Sequence, residues 1–178
     1  MSVKGLPALG YRNFPEINLR FYVKREIQGE LRRGVVFVQE LTPHRLVKWV
    51  ARSIYNEPYE ALPMRQTVNE SGALYEVQTD SNWQGIGVKA KGPWRKQNEM
   101  ELFITEHYWG YNNQKNNDSM EYRVEHPVWQ ARSVDLERYD LNVQRLYGNE
   151  WAETLAGKPD TMVFSDGSRV TVYSGEKI

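Results

Sequence analysis

Glu106, Tyr108 and Arg123 are the residues whose types and placing could do acid–base chemistry together. They lie in two aromatic-rich runs, LFITEHYWGY and MEYRVEHPVW, on either side of the polar run NNQKNNDS. An arginine can grip a ligand carboxylate by two parallel hydrogen bonds while a carboxylate or phenol moves a proton. Arg20, Tyr59 and Arg65 would complete a polar lumen, with His126 hydrogen-bonded inside it and held by Pro127 and Trp129. The plainer alternative is that Glu106 and Arg123 pair within a sheet and catalyse nothing. Glu40 ends an apolar run, the setting of a buried carboxyl with a raised pKa, or else of one paired with Arg45 or Arg65.

His107 and His126 each follow a glutamate, which raises the question of a metal. Adjacent residues on a strand point to opposite faces, so neither Glu-His pair can chelate as a unit, and the spacing fits no compact metal motif. No metal and no cofactor is expected. A GxSxG elbow is absent, and GIGVKAKG lacks the spacing of a phosphate-binding glycine loop.

The elements that must position these residues follow from hydrophobic period and turn chemistry. Leu102 to Trp129 reads as a β-hairpin with a long tip. The register that segregates its residues best puts Phe103, Thr105, His107, Trp109 and Tyr111 with Met120, Tyr122, Val124 and His126. Leu102, Ile104, Glu106 and Tyr108 then share the other face with Glu121, Arg123 and Glu125. Asn18–Lys24 alternates as a half-buried strand, QGELRRG reads as a turn, and Val35–Leu41 is apolar on both faces. Thr42 and Pro43 open an amphipathic helix with a stripe of Leu46, Val47, Val50, Ala51, Ile54 and Tyr55, covering the sheet and ending near Asn56 before Pro58. Met64–Asn69, Ala73–Thr79 and Gly85–Ala90 form a meander, Gly92–Glu99 a loop and Arg132–Tyr139 a further strand. Asn142–Leu155 holds short helices, and Asp166-Gly167 sets a hairpin between Met162–Ser165 and Ser168–Tyr173. The expected fold is α+β, mainly an antiparallel β-barrel, with one amphipathic helix and short C-terminal helices.

The 178 residues suit one domain, 1–178. Lys plus Arg and Asp plus Glu are 23 each and form no basic stripe, which argues against nucleic acid and anionic membranes as partners. There is no cysteine, no signal peptide and no long apolar run, pointing to a cytoplasmic protein.

GLPALGYRNFPEINLRFYV, RRGVVFVQEL, ARSIYNEPYEALPM, FITEHYWGY and EYRVEHPVW, in that order, resemble the YqjF-like family of uncharacterised proteins. The resemblance runs from about Gly5 to Tyr173. It implies an acetoacetate decarboxylase-like fold, a cone-shaped barrel with a polar interior pocket. Acetoacetate decarboxylases carry an adjacent lysine pair after a proline that follows the helix, and here Tyr59 and Glu60 follow Pro58. Without that amine, imine-based decarboxylation has no electron sink. Relatives generally have further strands ahead of GLPALGYRNFPE, so the resemblance also implies an incomplete barrel whose open edge could pair with a second copy. The expected function is therefore binding of a small anionic or carbonyl-containing ligand. A lysine-independent lyase or hydrolase using Glu106, Tyr108 and Arg123 is the alternative, and a non-catalytic interaction subunit the third possibility.

Overall fold

The computed structural model describes residues 2–3, 14–114 and 118–178. Most of GLPALGYRNFPE, which opens the family resemblance, lies outside them. The chain runs β1 (Ser2–Val3), β2 (Ile17–Ile27), β3 (Glu30–Thr42), α1 (Arg45–Val50), a π-helical turn (Ala51–Tyr55), β4 (Tyr59–Ala61), β5 (Met64–Asn69), β6 (Gly72–Thr79) and β7 (Asn82–Lys96). There follow α2 (Glu99–Thr105), β8 (Trp109–Asn113), β9 (Ser119–Glu125), β10 (Gln130–Tyr139), α3 (Val143–Tyr147), α4 (Asn149–Ala152), β11 (Phe164–Ser165), β12 (Thr171–Val172) and β13 (Glu176–Lys177). No helix among the described residues is long and apolar enough to cross a membrane.

The strands form two sheets and a mostly antiparallel α+β fold. The larger follows the order β1-β12-β9-β8-β3-β2, with β4 on β3 and β13 on β9; the smaller is β11-β10-β7-β6-β5. Among the described residues neither sheet closes into a barrel. The larger sheet is mixed, because β3 pairs in parallel with both β4 and β8, and β1 with β12. Buried Ile17, Leu41, Val77 and Leu146 join the sheets, packed round by Leu62, Met64, Tyr75, Ile86, Leu141 and Tyr147.

The meander falls where the periodicity placed it, with β5 spanning Met64–Asn69. The turn between β2 and β3 is only Gln28-Gly29, both at positive φ (52° and 82°), the geometry whose twist matches antiparallel strands. The rest of QGELRRG already belongs to β3. The expected loop over Gly92–Glu99 is instead strand to Lys96, where β10 offers it a partner.

Several expectations are corrected. Leu102–Thr105 is not the start of a strand but the end of α2. Asn98 accepts from the Glu101 N–H (2.9 Å) while the Glu101 carboxylate accepts from the Asn98 N–H (2.9 Å), a reciprocal cap that nucleates the helix. The hairpin register is the opposite of the expected one: Trp109 faces Arg123, Gly110 faces Tyr122 and Tyr111 faces Glu121. The reason is steric, for a Cβ at position 110 would fall within the Tyr122 ring. Asp166-Gly167 does not join two paired strands; β11 pairs with β10 and β12 with β9, so this turn passes the chain from one sheet to the other.

The first helix starts later than expected, since Thr42 ends β3 and His44 occupies the N-cap. It ends where expected, at Asn56 in the left-handed region (φ 53°). Its stripe does not blanket the sheet: Leu46 is 41% exposed, and neighbouring Trp49 is 62% exposed.

Two predictions follow from these local devices. Asn98→Ala should cost about 1 kcal/mol in urea unfolding, the usual value of an N-cap. Gly110→Ala should destabilise by about 1–3 kcal/mol by overpacking against Tyr122, seen as a lowered midpoint of thermal unfolding.

Candidate functional site

Strand register builds one face of the larger sheet. Asn18 lies opposite Glu40 and Tyr22 opposite Val35; Glu40 in turn pairs with Tyr59, Val35 with Gly110, and Gly110 with Tyr122. Arg20 shares this face by alternation with Asn18 and Tyr22, and an extra residue in β3, Val38, brings Phe37, opposite Arg20, to the same face as Glu40. Glu16, just before β2, and Glu57, just before β4, add carboxyls to it. The Tyr59 hydroxyl donates to Glu16 Oε1 (3.1 Å), and Asn112 Nδ2 donates to Glu57 Oε1 (2.8 Å). Glu40 and Glu57 are 4% and 8% exposed.

Burial dominates the electrostatics. It pushes the Glu40 carboxyl well above its ordinary value of 4.5, and the charges of Glu57 and Glu16 push it further; Tyr59 and Arg20 only partly offset this. Glu16 and Glu57 are raised by the same desolvation, opposed by hydrogen bonds from Tyr59 and Asn18 and from Asn112 and Tyr122 respectively. Burial and then the neighbouring glutamates hold the Tyr59 and Tyr122 phenols well above 10, so both are neutral donors at ordinary pH. No lysine among the described residues acts on any of these groups. The arrangement presents carboxylic acid and phenol donors in a desolvated place, able to receive a carbonyl oxygen or to protonate one.

The eight residues singled out from the sequence divide among four places. Tyr59 and Arg20 belong to this face; Arg20 also donates to the Ile104 carbonyl at the end of α2 (3.2 Å). The Tyr108 hydroxyl donates to Glu106, and burial first, then this hydrogen bond, raises the phenol to about 12. Tyr108 lies 5.2 Å from His126, whose ring stacks on Trp129 at 4.2 Å, so these four form a second group. Arg123 turns to Glu125 (2.6 Å) in an exposed pair and covers Tyr173. Arg65 forks onto Glu76 in the smaller sheet (2.5 and 2.9 Å), which Arg138 also holds (2.7 Å). Glu40 therefore does not pair with Arg65.

His107 and His126 sit in separate ring groups, the first stacked on Tyr22 at 4.3 Å. Burial first, then the charges of Arg20 and Arg33, push His107 down to about 4, against the Ile104 carbonyl and Glu106. Among the described residues no cluster of histidine and acidic side chains has the geometry to hold a metal ion.

Sequence reasoning found Glu40 but missed Glu16, Glu57 and Tyr122 as its companions. Glu16 and Glu57 flank prolines just ahead of strands, and periodicity gives no signal there. Tyr122 was assigned with the aromatic side of the hairpin, and Gly110 opposite it was the available clue.

The sign of the pH dependence follows. Raised carboxyls bind protons more tightly in the folded state, so their contribution to stability is full below the unfolded value near 4.5 and is lost as pH rises through the folded values. Glu76 and Glu101, lowered first by hydrogen bonds from Arg65 and Arg95 respectively, contribute above 4.5 and lose this as pH falls. Glu40→Gln should accordingly be more stable than wild type at about pH 8 and should flatten the decline in urea stability from about pH 5 upward. An unchanged slope would remove Glu40 from the buried, proton-binding group.

No curated protein matches the chain significantly. The DUF2071 family, described as an uncharacterized conserved protein (COG2071), matches residues 1–169, nearly the whole length. The chain belongs to this family.

Proposed function

We propose that the protein binds a small carbonyl-containing molecule against Glu40, Tyr59 and Tyr122, on a sheet face curled as in an acetoacetate decarboxylase-like barrel. The observation that carries this is the convergence of three raised carboxyls and two neutral phenols on one desolvated face, with no lysine among the described residues acting there. Such a face offers protons to a ligand oxygen, and none of the described lysines is there to form an imine. Tyr59 stands where the resemblance implies the Schiff-base lysine pair, so the family's pocket would be kept and its covalent chemistry lost.

Whether the ligand is also transformed depends on proton transfer. Protonated Glu40 would give its proton to the carbonyl oxygen while an ionised neighbour, Glu16 or Glu57, takes one from the adjacent carbon, yielding the enol without lysine, metal or cofactor. Glu106, Tyr108 and Arg123 remain a second possible acid–base set, favoured by the Glu106–Tyr108 hydrogen bond but without Arg123 joining them. An interaction-subunit role would draw on exposed Trp49 and Leu46 of α1. A cytoplasmic site of action, with no nucleic-acid or membrane partner and with pairing to a second copy through a sheet edge, belongs to the same proposal.

The test is ligand-observed NMR with neutral methyl ketones and short keto acids. Binding should weaken about 5–10-fold in Tyr59→Phe, the worth of one hydrogen bond of about 1 kcal/mol. Exchange of the ketone's α-protons with D2O, lost in Glu40→Gln, would make it an enzyme. A panel that shows no binding, or Tyr59→Phe binding as tightly as wild type, overturns the reading.

A further inference from the structure

We propose that Arg20, Lys24, Arg33 and His107 form an oxyanion site on the β2–β3 face, taking a carboxylate or phosphate group. Three observations converge. First, register places Arg20, Lys24 and Arg33 together: Lys24 lies directly opposite Arg33, Tyr22 opposite Val35 and Arg20 opposite Phe37, so alternate residues of both strands share one face, and the His107 ring stacks on Tyr22 of that face. Like charges set directly opposite one another on paired strands destabilise the sheet unless something neutralises them.

Second, no carboxylate among the described residues forms an ion pair with them. Arg25, Arg32, Arg65, Arg95 and Arg138 each hold a carboxylate, whereas Arg20, Lys24 and Arg33 form no ion pair among the described residues. The acidic groups in reach are Glu106, which acts on His107, Glu40, on which Arg20 acts, and Glu26, one alternation beyond Lys24 and opposite Leu31.

Third, the imidazole of His107 is buried, 7% exposed, and its Nδ1 makes no well-formed hydrogen bond among the described residues, the Ile104 backbone being the polar neighbour that acts on the ring. A buried polar atom left unsatisfied is costly, and a ligand oxygen is one way to satisfy it. The ring is fixed by stacking on Tyr22 and by the edge of Phe103 (5.7 Å), so it presents this atom in a set position.

Arg20 links the two ends of the face, acting electrostatically on Glu40 and Tyr122 on one side and on His107 on the other. A ligand with its carbonyl at Glu40 and Tyr59 and its anionic group at this site would be a short carbonyl acid or its phosphorylated counterpart. That ligand class rests on the proposed carbonyl site; the anion site itself does not.

The experiment is long-range 1H–15N NMR of the imidazole rings, titrated with sodium phosphate and, separately, sodium acetate, at constant ionic strength with chloride as reference. With three histidines in the chain the ring signals can be assigned by substitution. The His107 signals should move saturably with phosphate or acetate, and Arg33→Gln should weaken that response at least tenfold. A response to phosphate alone identifies a phosphate group, and one to acetate a carboxylate. Without added anion, Arg33→Gln should also melt no lower than wild type, since it relieves the repulsion from Lys24. An equal response to chloride, an unmoved His107, or Arg33→Gln responding like wild type overturns the site. A parallel titration with a neutral ketone separates the two readings: ketone binding without an oxyanion response removes this inference alone, and an oxyanion response without ketone binding removes the carbonyl site alone.

Discussion

Tyr122 lies over a strand position that has no side chain, and much of the larger sheet depends on that contact. Gly110 lets the ring approach the backbone of β8, and this holds β9 in one register. A slip of one residue would exchange the two sides of β9. As it stands, Tyr122 joins Glu40 and Glu57 on one side, while Glu121 on the other receives Arg25 (2.9 Å) and Arg32, whose guanidinium also covers Trp109 at 4.1 Å. A single glycine thereby keeps Tyr122 with the desolvated acid group and its neighbour Glu121 with the arginines on the other side of the sheet.

The two kinds of buried carboxyl behave differently. Glu76, Glu101 and Glu121 are each held by arginine, and Glu101 also takes part in the helix cap, so their charge is compensated where it is made. Glu16, Glu40 and Glu57 have phenols and amides for neighbours and repel one another when ionised. A fold selected only for stability has no reason to leave such a group uncompensated, and perturbed carboxyls of this kind gather at functional sites. Clustering on one side of the sheet where strands β2, β3, β4 and β9 contribute one or two groups each is what a ligand site requires and a structural ion pair does not.

Much of the architecture was legible in the sequence because local patterns dictated it. The meander β5 to β7 has alternation and turn residues that agree, so its strands fall in their expected places, although β7 runs from Asn82 to Lys96 and so outgrows Gly85–Ala90 at both ends. The left-handed residue at Asn56 follows from Pro58 beyond it. Where the reading failed, a non-local or competing local signal won. The aromatic content of LFIT suggested strand, but Asn98 and Glu101 cap a helix there. Asp166-Gly167 carries a hairpin's turn chemistry, yet the segments it joins find partners in different sheets. The candidate site was legible only in part: Glu40 stands out as a carboxyl in an apolar run, and Tyr59 through its place after Pro58. Glu16, Glu57 and Tyr122 come to them only through the parallel pairings of β3 with β4 and with β8, which no short stretch of sequence encodes, and through a hairpin register opposite to the expected one.

The parallel partners of β3 have a consequence for the order in which the molecule can assemble. Strands β5, β6 and β7 are joined by tight turns and can pair soon after each is available. β3, by contrast, meets β8 only after the whole meander and α2 have been looped out between them, and closing so long a loop is an entropic cost that must be met before the contact rewards it. Tyr122 reaches Glu40 and Glu57 only through that late contact. Before β8 docks, Glu40 can already meet Tyr59 through the pairing of β3 with β4, but Tyr122 is still absent, and the acid group is complete only when that long-range contact has formed.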